Sequence, residues 1–246
     1  MKTPLHFACD KRHLEIVQLL CSHPNIRINS KDMYLMTPLH QAARSDCAPI
    51  IQYLLSLPGI QIYPEDFCLD TPFQYLASNG TLASIKIFLE LNNNINNNLN
   101  NNLNNNLNIN HKDYTGCTAL HLAVQRGRPE IVSLIMNFNG ININALDKVQ
   151  KTPLHYAADL ERFEVMKLLL EHPQINVNAQ DENGDTPLHL AARKDNFSII
   201  SLLLQKNEIN SSIKNGQKKR AYDETNNKYH YDLIYSHRKD SSREIA

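Results

Sequence analysis

Five histidines, His6, His40, His121, His155 and His189, are the side chains best suited to metal chemistry in this chain of 246 residues. Each closes a four-residue block, TPLH or TALH. An imidazole ligates zinc at about 2 Å, whereas packed helices lie about 8–10 Å apart. Rings carried one per block are too distant to share an ion. Their expected role is a polar tie between backbone and Thr hydroxyls of neighbouring blocks. Nucleophilic chemistry has no better support: no serine stands in a G-x-S-x-G elbow, and no cysteine has a histidine near it for any reason beyond repeat geometry. The seven glycines are scattered at turns and build no phosphate-cradling loop. The chain is expected to be non-catalytic, with no cofactor and no metal.

The totals narrow the partners. The 25 basic and 25 acidic side chains balance, so no basic excess points to nucleic acid or an anionic membrane. No apolar run approaches the roughly 18–20 residues of a membrane span. The opening MKTPLHFACDKR lacks the apolar core of a signal peptide. Cys9, Cys21, Cys47, Cys68 and Cys117 are odd in number and form no C-x-x-C, the usage of reduced thiols in a cytosolic or nuclear protein. The expected location is the cytoplasm, with the nucleus open. The basic QKKR at 217–220 reads as solvated surface.

A regular period positions the histidines. TPLH stands at 3–6, 37–40, 152–155 and 186–189, with TPFQ at 71–74 and TALH at 118–121, in steps of 34, 34, 47, 34 and 34. Thr is a good N-cap and Pro is favoured at the first helical position, so each block opens a short helix. A second, more apolar helix follows, as in Glu164 to Leu170, and ends near the Pro or Gly of HPNI, LPGI, FNGI or HPQI. An extended arm then leads to Asp32, Asp66, Asp113, Asp147 or Asp181, each five residues before the next Thr.

The T-P-L-H-x-A pattern, six times in phase, resembles the ankyrin repeat over nearly the whole chain. The resemblance implies an all-α solenoid of stacked helix-turn-helix units joined by β-hairpin-like loops. The units run approximately over 1–31, 32–65, 66–112, 113–146, 147–180 and 181–214, with a degenerate polar one at 215–246, in a single domain. In that last unit RAYDETNN fills the slot of TPLHLAAR, and DLIYSHR is the candidate second helix. The first unit has no arm and resembles an interior repeat, so either an exposed first helix is tolerated or the chain is truncated there.

The step of 47 is 34 plus 13, and it contains LNNNINNNLNNNLNNNLNIN at 91–110. Ile95, Leu99, Leu103 and Leu107 recur every four residues, but Asn is a poor helix former and no cap assists it. The expectation is a disordered low-complexity insertion over 92–108. Lengthening that connection from roughly 10 to 23 residues costs only about 0.7 kcal/mol of closure entropy.

The resemblance places partner binding on the loop tips and on the residues ending the first helices. Met33, Tyr34, Met36, Phe67 and Tyr114 are expected to project from the tips, with Arg44, Gln125 and Arg126 facing the same groove. The first three tips are apolar and aromatic, whereas the last two are charged, which favours a binding site at the former over mutual packing. The family's tip glycine survives as Gly116 and Gly184, while Leu35, Leu69 and Gln150 replace it. Asn29, Asn110, Asn144 and Asn178 occupy a position hydroxylated in some ankyrin proteins, although a structural turn role is the simpler expectation. The function expected is binding of a protein partner across the concave face by a monomer, without nucleic acid or membrane insertion. Two alternatives are a scaffold or assembly chaperone, by analogy with gankyrin of the proteasome, and the substrate-recruiting part of a larger enzyme such as a ubiquitin ligase.

Overall fold

The computed structural model describes residues 1–98 and 107–241. Helices pair in sequence: α1 Pro4–Asp10 with α2 Leu14–Cys21, α3 Pro38–Arg44 with α4 Ala48–Leu55, and α5 Pro72–Asn79 with α6 Leu82–Asn98. The series continues with α7 Ala119–Gln125 and α8 Pro129–Met136, α9 Pro153–Asp159 and α10 Phe163–Glu171, then α11 Pro187–Arg193 and α12 Phe197–Leu204. A short 3-10 helix, Ala221–Asp223, and α13 Lys228–Ser241 close it. The described residues contain no strand, only an isolated antiparallel bridge between Lys214 and Arg220. Their fold class is all-α.

The chain divides into two compact units, Met1–Leu122 and Ala123–Ala246. In the first, α1, α3 and α5 pack in succession, as do α2, α4 and α6. Leu39, Ile50, Leu54, Phe73, Ile85 and Phe88 fill the space between them with no more than 1% of their surface exposed. Burial of a side chain of this size contributes about 1.5–3 kcal/mol. In the second unit α9 packs on α11 and α11 on the 3-10 helix, while α10 packs on α8 and α12. Leu154, Met166, Leu169, Leu188, Ile199 and Leu203 form its core. The degenerate final repeat keeps this plan in reduced form. Asp223 accepts a hydrogen bond from the Arg220 N–H at 2.9 Å, as the histidines do from Thr, and Tyr222 is buried edge-on against Tyr231 and Tyr235.

One expectation changes. The helix α6 does not stop at the asparagine tract but continues to Asn98, six residues past the expected start of the loop at 92. The reason is cooperative. Leu82 to Leu89 nucleate the helix on a packed face, and propagation from a formed helix avoids the nucleation cost while each Asn forfeits less than about 0.7 kcal/mol. Residues 99–106 of the tract lie outside the described residues.

Candidate functional site

The tips are built by a repeated aspartate. Oδ1 of Asp32 accepts the N–H groups of Tyr34 (2.8 Å) and Met36 (3.1 Å). Asp66 does the same for Cys68 and Asp70, Asp113 for Thr115 and Cys117, Asp147 for Val149 and Lys151, and Asp181 for Asn183 and Asp185. The backbone N–H of each aspartate also donates to the carbonyl four residues on, closing a five-residue turn. The fourth residue of each turn is left-handed. Gly116 and Gly184 take this conformation without strain, but Leu35, Leu69 and Gln150 take it too, at φ of 58°, 61° and 59°. The turn therefore survives loss of its glycine, because the aspartate's hydrogen bonds hold it.

The histidines couple one repeat to the next, as expected. Nδ1 of His40 accepts the Thr37 N–H at 3.0 Å, and Nε2–H donates to the Asp70 carbonyl at 3.0 Å. Corresponding bonds run from His6 to Met36, from His155 to Asp185 and from His189 to Lys219, each spanning 30 residues. Desolvation pulls His40, His155 and His189 below the ordinary imidazole range, which keeps them neutral as this pattern of donors and acceptors requires. Gln74 replaces histidine in the third repeat. Its Oε1 accepts the Thr71 N–H and its Nε2 donates to the Cys117 carbonyl, 43 residues away, so the same tie spans the 13-residue insertion. Among the described residues no group of three His, Cys, Asp or Glu side chains could hold a metal ion. Asn29, Asn144 and Asn178 are likewise turn ties: Asn29 donates to the Gly59 carbonyl at 2.7 Å and accepts the Gln61 N–H at 2.9 Å, and the other two repeat this pattern.

The first compact unit brings three tips side by side. The Phe67 N–H donates to the Tyr34 carbonyl at 2.9 Å, and the Tyr114 N–H to the Cys68 carbonyl at 2.7 Å. Met33, Tyr34, Phe67 and Tyr114 project as expected, with 72%, 57%, 73% and 64% of their surfaces exposed, so they are not buried on one another. Leu35 and Leu69, which the sequence marked only as glycine replacements, add exposed apolar surface to the same tips. Met36 is a correction: it is buried at 4% exposure, its sulfur against Gln41 Nε2. As the fifth residue of its turn it points back under the ladder, and its carbonyl receives His6. Arg44 ends α3 and is exposed, but its guanidinium is held by Asp10 at 2.8 Å. Gln125 and Arg126 belong to the second compact unit. Gln125 is half-buried and its carbonyl accepts Arg162, whereas Arg126 is exposed.

Sequence reasoning passed over Asp70, the fifth residue of the second of these turns. Its half-buried carboxyl has no hydrogen-bond or ion partner among the described residues, and burial together with Asp113 and Asp66 raises its pKa to about 7. The fifth residues Lys151 and Asp185 are instead answered by a residue eight places on, Asp159 at 3.0 Å and Arg193 at 2.9 Å. The corresponding residue after Asp70 is the uncharged Ser78. That break in charge pairing was readable in the sequence. Behind it, the Tyr75 hydroxyl donates to Asp66 Oδ2 at 2.7 Å.

Among the described residues no helix is long and apolar enough to cross a membrane. The family model of ankyrin repeats (three copies) matches residues 1–66, 64–147 and 135–218. No curated protein matches the chain. Among solved structures, the human ASB11 ankyrin repeat domain is similar with a TM-score of 0.77 at 24% identity, covering 96% of this chain and 98% of that one. The ankyrin repeat domain of Bcl-3, described as a unique member of the IkappaB protein family, gives a TM-score of 0.79 at 24% identity, covering 95% and 98%. At this identity the likeness concerns the fold, an all-α ankyrin repeat solenoid.

Proposed function

The chain belongs to the ankyrin repeat family, whose members generally act as protein–protein interaction modules, and from that premise we propose that it is a non-catalytic binding protein whose partner docks on the tips of the second, third and fourth repeats. The observation that carries this reading is the exposure of Met33, Tyr34, Phe67 and Tyr114 on adjoining turns. Aromatic and methionine side chains are enriched in interface cores, and contiguous exposed apolar surface marks interaction sites. The turns that carry them are closed by backbone N–H groups donating to the carboxylates of Asp32, Asp66 and Asp113, so the surface is preorganised and little ordering entropy is lost on binding. Arg44, which belongs to the same compact unit as these tips, is proposed as a peripheral contact of the same partner.

The test begins with affinity capture of partners on the full chain and their identification by mass spectrometry. Tyr34→Ala combined with Phe67→Ala should weaken binding of a genuine partner by about a thousandfold, since central interface aromatics cost about 2 kcal/mol each on truncation. Far-ultraviolet circular dichroism should be unchanged, because both side chains are outside the core. Lys148→Glu and Glu182→Lys, on the charged tips, should matter far less. A partner retained by the double variant but lost on these reversals would place the binding face in the second compact unit.

A further inference from the structure

We infer that the tip surface of the first compact unit is specific for a partner segment carrying an arginine or lysine among apolar residues, with the cation seated against Asp70. The inference rests on the tip-binding reading above and adds the chemistry of its ligand.

Three observations converge on it. The first is the missing countercharge. Lys151 and Asp185, the fifth residues of the aspartate turns in the second unit, each have an opposite charge within 3.0 Å, whereas Asp70 has none among the described residues. The second is that neighbouring carboxylates are already committed. Asp66 accepts two backbone N–H groups and the Tyr75 hydroxyl, and Asp113 accepts two N–H groups and the Thr115 hydroxyl. Neither can turn outward without breaking its turn, while the Asp70 carboxyl is free to accept from a ligand. Nearby basic side chains are also engaged: Lys31 Nζ donates to the Glu65 carbonyl, and His111 Nε2 bonds the Leu69 carbonyl beside Glu65. The third is the rim. Phe67 lies in the same five-residue turn as Asp70, and Tyr34 and Tyr114 lie on the turns bonded to either side. Aromatic faces attract cations and their apolar stems, so one long basic side chain satisfies both features.

The backbone of Asp70 is fixed, with its N–H on Asp66 Oδ1 and its carbonyl accepting His40 Nε2. Asp66, Tyr75 and Cys68 of its own repeat, His40 of the preceding one and Asp113 of the next are the titratable groups that act on it or lie against it. A cation arriving there drives the carboxyl to its ionised form. With the free carboxyl titrating at about 7, binding at pH 7 releases about half a proton, and affinity falls about tenfold from pH 8 to pH 6.

The experiment uses the full chain and a phage-displayed library of random peptides, panned at pH 8. Selected peptides should carry arginine or lysine beside aromatic or aliphatic residues. A synthetic copy of one should bind at least tenfold more weakly when its cation is replaced by citrulline or norleucine. That replacement should cost nothing on the Asp70→Asn variant, which keeps the shape of the neutral side chain and should show the wild-type circular dichroism. Asp70→Asn should also abolish the dependence on pH. Peptides that lose affinity on Phe67→Ala yet carry no cation, or whose cation costs the same on Asp70→Asn, would overturn the charge inference and leave the tip site standing. Peptides indifferent to Phe67→Ala, or a library without binders, would overturn the tip site itself.

Discussion

Leu35, Leu69 and Gln150 hold a left-handed backbone that costs an L-residue about 1 kcal/mol or more and costs glycine little. Leu35→Gly, Leu69→Gly and Gln150→Gly should therefore each stabilise the chain by roughly 0.5–1 kcal/mol in denaturant titration; destabilisation by any of them would mean that its side chain packs more than its exposure suggests. Asp70 carries a second kind of strain. Its folded pKa is raised, so between about pH 4 and pH 7 the folded state binds more protons than the unfolded one, and stability falls as pH rises through that window. Asp70→Asn should raise the thermal midpoint by a few degrees at pH 8 and make little difference at pH 4. A residue that weakens the free molecule while offering an unanswered charge is the pattern of a position kept for binding.

At the scale of the element, a repeat is a capped helix pair closed by a polar turn, and within a compact unit one ring or amide ties it to the next. The histidine ties titrate in the opposite sense to Asp70. His40, His155 and His189 are held below the ordinary value of 6.5, so as pH falls below that value the unfolded chain takes up protons first and stability is lost until the folded values are reached. Gln74 shows that an amide can make the same tie. His155→Gln should then fold at pH 7.5 and lose less of its thermal midpoint on acidification to pH 5 than the parent; an equal loss would place the acid sensitivity elsewhere. The period of 34, the Thr–Pro helix starts and the role of the histidines were legible in the sequence because each depends on local chemistry repeated in phase. What was not legible depended on reach between elements. Met36 directly follows three exposed tip residues in the chain, yet the turn geometry directs it inward. The extension of α6 to Asn98 reflects a helix nucleated upstream, which composition alone does not report.

At the scale of the whole molecule, protection should vary along the chain. The pair α1 and α2 leaves Phe7, Ile16 and Leu19 exposed at 53%, 47% and 72%, and a terminal repeat gains one neighbour interface where an interior repeat gains two. Amide hydrogen exchange should show residues 3–21 opening more readily than residues 152–204. Equal protection would mean that another surface covers α1, for which a concentration series would reveal a second copy of the chain.

The Gln74 tie to the Cys117 carbonyl spans 43 residues where its counterparts span 30, with bonds of ordinary length at both of its ends. Contour length between those two points is thus uncoupled from the geometry that the tie enforces. Replication slippage in a run of asparagine codons would add or remove residues there in frame without disturbing either flank, making the tract a place where alleles can differ in length while sharing one fold. The same property makes it a port for engineering: a reporter domain spliced into the tract should leave the flanking helices folded.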